Sequence, residues 1–200
     1  MISQPHRSKR LRLARAGFFV KKPPGQVKEN EMEHGVKLFG HSVHPMLIVF
    51  PLGLLSTAVV FDLIYFASAN PAFPVVAYWL IAAGIIGGLM AAIFGLIDWL
   101  AIPSGTRAKT IGIYHGVVNL VVVLLFAGSL YLRSVSAVEP PVSAMILSFL
   151  GVALALVGGW LGGELVERIG VGVHKGANVN APSSFTSENV ARVRTPPKKA

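Results

Sequence analysis

The chain has no cysteine among its 200 residues. That excludes disulfides, zinc ribbons, iron–sulfur clusters, thiol nucleophiles and covalently attached c-type haem. Charge is scarce as well. Asp, Glu, Lys and Arg make up 14% of the residues, where a water-soluble domain carries about 25%. So few charges cannot cover a hydrated surface. The 53% of hydrophobic residues and the mean hydropathy of +0.62 exclude a chain disordered throughout. Acids are the scarcer sign, 9 against 18 Lys and Arg, for a formal net charge of +9. In so apolar a chain this surplus points to anionic lipid and membrane orientation before nucleic acid.

What is present is a set of four long apolar runs, at 45–66, 75–97, 116–132 and 142–163. Only Asp62 interrupts the first; the others carry no charge, and the third extends back towards Ile111. Each is close to the ~20 residues that cross ~30 Å of hydrocarbon as a helix. Backbone groups in lipid must be satisfied within the segment, and the alternation that marks a membrane barrel is missing. The expected fold is all-α: a four-helix transmembrane bundle running up-down-up-down. Lys and Arg collect before the first run, at Arg107 and Lys109 between the second and third, and after the fourth. The other two links are nearly bare, so both termini are expected on the cytoplasmic side.

Three parts follow: a basic N-terminal tail at 1–40, a membrane domain at 41–175 and a disordered basic tail at 176–200. The tail's apolar stretch, Ala16 to Val20, is too short for the core of a signal peptide. Leu11, Phe18 and Phe19 would let it lie on lipid as a short amphipathic helix. No internal repeat is evident.

Helical spacing places the rarer residues. Gly84, Gly88, Ala91 and Gly95 form a small-residue stripe that Asp98 continues; Gly151, Gly158 and Gly162 form another. Such stripes let helices approach closely in lipid. His44 and Asp62 are 18 residues apart, as are His115 and Arg133. Eighteen residues make five turns and rise ~27 Å, so each pair shares a face and spans most of a bilayer. If both faces point inward, His44 meets the layer of His115 at one side and Asp62 meets Arg133 at the other. An Asp62–Arg133 ion pair, direct or through water, is the expectation. Pro51 is expected to loosen this register.

The alternating topology brings His41, His44, His115 and His174 to one membrane side, with Asp98, Trp99, Asn119, Glu164 and Arg168. Two imidazoles facing each other across a bundle suit a b-type haem. They could also bind a non-haem metal with Asp98 or Glu164. His44 and His115 are the leading ligands, with His41 and His174 as alternates. Asp98 or Glu164 would orient an imidazole through its second nitrogen, with Asn119 nearby. Arg107 and Arg168 would hold haem propionates. The opposite side offers Tyr65, Tyr78 and Tyr131 but no histidine, so one haem is expected rather than two.

The motifs His41-Ser-Val-His44-Pro45-Met46, Phe50-Pro51-Leu52-Gly53-Leu54 with Asp62, and Gly95-Leu-Ile-Asp98-Trp99 with Ile102-Pro103 come in a fixed order. His115-Gly116 with Asn119 follows, and then Gly159 to Val166 and Gly170 to His174. This set resembles the family called domain of unknown function 2231. The resemblance implies a bacterial inner-membrane protein of four helices, grouped with haem-binding membrane cytochromes. The family's histidines fall on His41, His44, His115 and His174. Some relatives are joined to Rieske-type modules, which implies electron transfer to a quinone or a redox partner; this chain has no cysteine for such a centre. The alternative is a membrane scaffold or subunit with no cofactor. A weaker third reading is a proton path through Asp98, His115 and Glu164.

Overall fold

The computed structural model describes residues 35–174 and 176–185. The amphipathic helix expected around Leu11, Phe18 and Phe19 lies outside them, as do Lys175 and residues 186–200. Among the described residues there are four helical spans: Val43–Ser68, Ala72–Ala101, Arg107–Arg133 and Val142–Arg168. Each is long and apolar enough to cross a membrane. The first three reach beyond the apolar runs of the sequence at both ends, and the fourth reaches beyond its run at the C-terminal end. Asp98, Arg107 and His115 stop a hydropathy count but not a backbone ladder, and such residues suit the polar margins of a bilayer.

The first span is divided into α1 (Val43–Leu47) and α2 (Val49–Ser68). Proline has no N–H for the carbonyl four residues back, and its ring crowds that carbonyl. For Pro51 that carbonyl belongs to Leu47, where α1 ends. Ile48 keeps helical angles, so the span stays continuous and the register survives. α2 closes on Ala69 in the left-handed region (φ 53°). α3 (Ala72–Ala101) ends at Ile102, extended before Pro103. α4 (Arg107–Arg133) opens on Thr106, whose hydroxyl accepts the Lys109 N–H at 3.1 Å. α5 (Val142–Gly163) passes directly into a π-helical turn, Glu164–Arg168.

A small hairpin precedes the bundle. β1 (Lys37–Leu38) pairs antiparallel with β2 (His41–Ser42). Its two turn residues, Phe39 and Gly40, both have positive φ (50° and 84°), which matches the twist of a two-residue hairpin. At the other end of the described chain, residues 176–185 run through turns that bring the Phe185 ring to 5.9 Å from Phe39. This first part of the tail expected to be disordered therefore lies against the hairpin.

The core lies between the helices: Leu55, Ala58, Val59, Ala77, Ile81, Val122 and Phe126 are buried together. Large apolar residues such as Ile93, Leu124 and Leu156 point outward, as lipid-facing residues do.

The contacts contain a repeat that the sequence does not display. Leu55 packs on Gly84, and Phe126 packs on Gly151. His44 reaches the Ala91 carbonyl and His115 the Gly158 carbonyl. On the outgoing helices, counterparts are 71 residues apart: His44 and His115, Leu55 and Phe126, Ala58 and Ser129, Asp62 and Arg133. On the returning helices they are 67 apart: Ala77 and Ala144, Ile81 and Ser148, Gly84 and Gly151, Ala91 and Gly158, Gly95 and Gly162. The bundle is thus two equivalent helix hairpins, Val43–Ala101 and Arg107–Arg168, related by an approximate twofold axis along the helices. The identical counterparts are scattered single residues, His44 and His115 or Gly84 and Gly151, set among pairs that differ, such as Leu55 and Phe126 or Asp62 and Arg133, which hides the repeat in the sequence. A Cβ at Gly84 would lie 2.5 Å from Leu55, and one at Gly151 would lie 2.7 Å from Phe126. Gly84→Ala and Gly151→Ala are expected to cost similar amounts, each about 1–3 kcal/mol of overpacking. Thermal unfolding in detergent measures both. A silent change at one position beside a severe one at the other would contradict the equivalence.

Candidate functional site

Two polar layers cross the axis, one at each end of the bundle, with the apolar core between them. In the first, the guanidinium of Arg133 donates to both carboxylate oxygens of Asp62, Nη1 to Oδ1 at 2.9 Å and Nη2 to Oδ2. Both side chains are 0% exposed. Arg133 Nε donates to Ser129 Oγ at 3.1 Å, and Ser129 and Ser148 share a hydrogen bond at 2.8 Å. The expected ion pair is direct and two-pronged. Among the described residues no buried side-chain nitrogen or oxygen lacks a partner. Such a closed network fixes how elements meet; it leaves no group for a ligand.

The second layer is different. His44, on α1, and His115, in the third turn of α4, meet across the axis with ring centroids 6.2 Å apart and planes at 87°. His44 Nδ1 donates to the Ala91 carbonyl at 2.8 Å. His115 Nδ1 donates to the Gly158 carbonyl at 3.0 Å. A carbonyl oxygen only accepts, so the proton of each ring sits on Nδ1. Each Nε2 then carries a lone pair, the arrangement a metal-binding imidazole needs. Four residues beyond each accepting carbonyl is a glycine. Gly95 backs the His44 ring and Gly162 backs the His115 ring.

The other expected site residues divide. Asp98 receives the Val36 N–H at 3.2 Å and faces Gly35, so it ties the N-terminal segment to α3. Glu164 pairs with Arg107. The role given to Asp98 or Glu164 in orienting an imidazole is therefore corrected: backbone carbonyls fill it. A carbonyl on a helix needs no particular side chain, so no residue type signalled it. Asn119 donates to the His115 carbonyl at 2.8 Å and lies beside the imidazole, seated against Gly158. His41 is exposed in the hairpin, with Nδ1 on the Phe39 carbonyl at 3.1 Å. His174 accepts the Gly176 N–H at 3.0 Å. The structure brings neither His41 nor His174 into the pair. Arg168 is exposed on the π-helical turn at the same end.

Sequence reasoning passed over Ser129 and Ser148. Lys109, read from the sequence only as a loop charge, donates to the Trp99 carbonyl at 2.7 Å, lies 3.8 Å over the Trp99 ring and receives the indole N–H on its own carbonyl. A cation on the last carbonyls of α3 suits its dipole. Ser129 stands one turn before Arg133, a spacing that offered a signal for it.

Among the described residues no group of three or more His, Asp or Glu side chains is arranged to hold a metal ion. The histidine layer brings together two imidazoles. The family described as "Predicted membrane protein (DUF2231)" matches residues 40–175, from the hairpin turn to just past His174. The chain belongs to this family. No curated protein and no solved structure matches it. As a family member it is a membrane protein whose four spans and paired histidines all fall inside the matched region.

Proposed function

We propose that this protein holds one b-type haem between His44 and His115 and serves as an electron-transfer component of the bacterial inner membrane. The observation that carries the proposal is the imidazole pair. A metal–imidazole bond of about 2 Å on each side, plus half a ring at each end, separates two axial rings by about 6 Å. The observed centroid spacing is 6.2 Å. The donor set argues the same way. Two imidazoles are too few for a bare ion held by protein alone, which takes three or four ligands. A haem brings four nitrogens of its own and asks the protein for the axial positions.

His44 and His115 would be those ligands. Arg107 and Arg168, at the same end, would supply guanidinium groups to the propionates. The haem itself supplies one-electron chemistry. With the histidine end and both termini on the cytoplasmic side, as the positive residues of the loops favour, electrons would pass to a quinone or a partner protein there.

The test is the absorption spectrum of the full-length protein purified in detergent, with haem supplied during expression, oxidised and then reduced with dithionite. The expected result is a Soret band at one haem per chain and sharp α and β bands on reduction. A colourless, folded protein would overturn the reading and leave a membrane scaffold.

A further inference from the structure

We infer that Gly95 and Gly162 are positioning residues that hold the two imidazoles with their planes crossed, so that a haem bound between them carries axial rings near a right angle. The inference rests on the haem reading above and adds a property that reading does not require. A histidine side chain has two rotatable bonds, and the rotation of its ring is soft. Here two contacts remove that freedom. The accepting carbonyl fixes Nδ1, and the glycine one helical turn further on closes the ring's edge.

A Cβ at Gly95 would lie 2.9 Å from both Cε1 and Nδ1 of His44. One at Gly162 would lie 3.1 Å from Cε1 of His115. Any side chain at these positions therefore displaces the ring or pushes the helices apart. Both halves of the bundle repeat this unit of histidine, carbonyl and glycine at equivalent positions. Packing alone would explain one such glycine. Two, each seated against the same atoms of equivalent rings, set the geometry of a pair, and the resulting angle is 87°.

The angle has a spectroscopic consequence. In a low-spin ferric centre the planes of the axial imidazoles govern the splitting of the iron orbitals that face them, one of the levers by which a protein tunes a haem. Parallel planes act along one direction and spread the electron paramagnetic resonance into three well-separated features. Crossed planes act along both directions, leave the orbitals nearly equal in energy, and give one strongly anisotropic low-field feature.

The experiment is electron paramagnetic resonance of the oxidised, haem-loaded full-length protein. The expected wild-type spectrum is the low-field anisotropic one. Gly95→Ala and Gly162→Ala should retain haem and move the spectrum towards three features, Gly95→Ala further because its contact is tighter. Gly84→Ala and Gly151→Ala, which strain the apolar core, should lower the thermal midpoint and leave the spectrum unchanged. If Gly95→Ala cannot retain haem, the milder Gly162→Ala decides. A wild-type haem with three well-separated features would overturn the inference. So would a crossed spectrum that neither socket variant alters. A wild-type protein that binds no haem removes the haem reading itself, an outcome seen first in the absorption spectrum.

Discussion

Alanine at Arg133 is expected to destabilise the bundle by about 3–5 kcal/mol, the range for breaking a buried ion pair from one side. The reason is the charge left behind. Asp62 is fully buried and takes both carboxylate hydrogen bonds from this one guanidinium. Alanine at Asp62 should cost a similar amount by stranding the guanidinium. The twofold relation predicts the outcome of exchanging the pair. In Asp62→Arg/Arg133→Asp the same two groups meet across the axis with their helices reversed, so much of the loss should be recovered. Recovery should be incomplete. Ser129 and Ser148 support the arginine where it now stands, while their counterparts near position 62 are Ala58 and Ile81, which offer no hydroxyl. Adding Ala58→Ser and Ser129→Ala to the exchange should raise stability again. Thermal midpoints of the full-length variants in one detergent measure the series. An exchange no more stable than either alanine variant would show that the pair does not join the halves.

The second large effect concerns the proposed haem ligands, His44 and His115. His44→Gly and His115→Gly are each expected to abolish the reduced α band, because one imidazole cannot complete a bis-histidine centre. Free imidazole should restore it. The ring of His44 lies against Gly95 and that of His115 against Gly162, so removing either leaves a ring-shaped space lined by a carbonyl that still accepts an N–H. The same change at His41 should leave the spectrum intact, since that ring sits exposed in the hairpin. Rescue is read by titrating imidazole into the haem-supplied variants. Haem retained in full by both glycine variants without imidazole would assign the ligands elsewhere.

Much of this was legible in the sequence because membrane helices follow simple rules. Hydropathy located all four spans, and a spacing of 18 residues placed Asp62 opposite Arg133 and His44 near His115. That arithmetic worked because five turns bring a straight helix back to the same face, and the interruption at Ile48 left the face unchanged. Other features were not legible. The groups that orient the imidazoles are carbonyls, which every residue has. Asp98 looked like a core acid because it continues the glycine stripe, yet it holds the backbone of Val36, a segment no periodicity describes. The repeat escaped because packing in lipid constrains size and shape more than residue identity. Leu55 and Phe126 do the same work against Gly84 and Gly151 while sharing no side-chain type.

The axis that relates the two hairpins bears on how such a chain can change. In a dimer of two identical hairpins every substitution is made twice, and a residue on the axis meets its own copy. An aspartate there would face an aspartate. Carried on one chain, the hairpins are inherited at one-to-one stoichiometry and can be altered singly. At one end of this axis the counterparts are alike, two histidines; at the other they are opposites, an acid and a base. Only a molecule in which the two halves are separately encoded can hold both solutions at once.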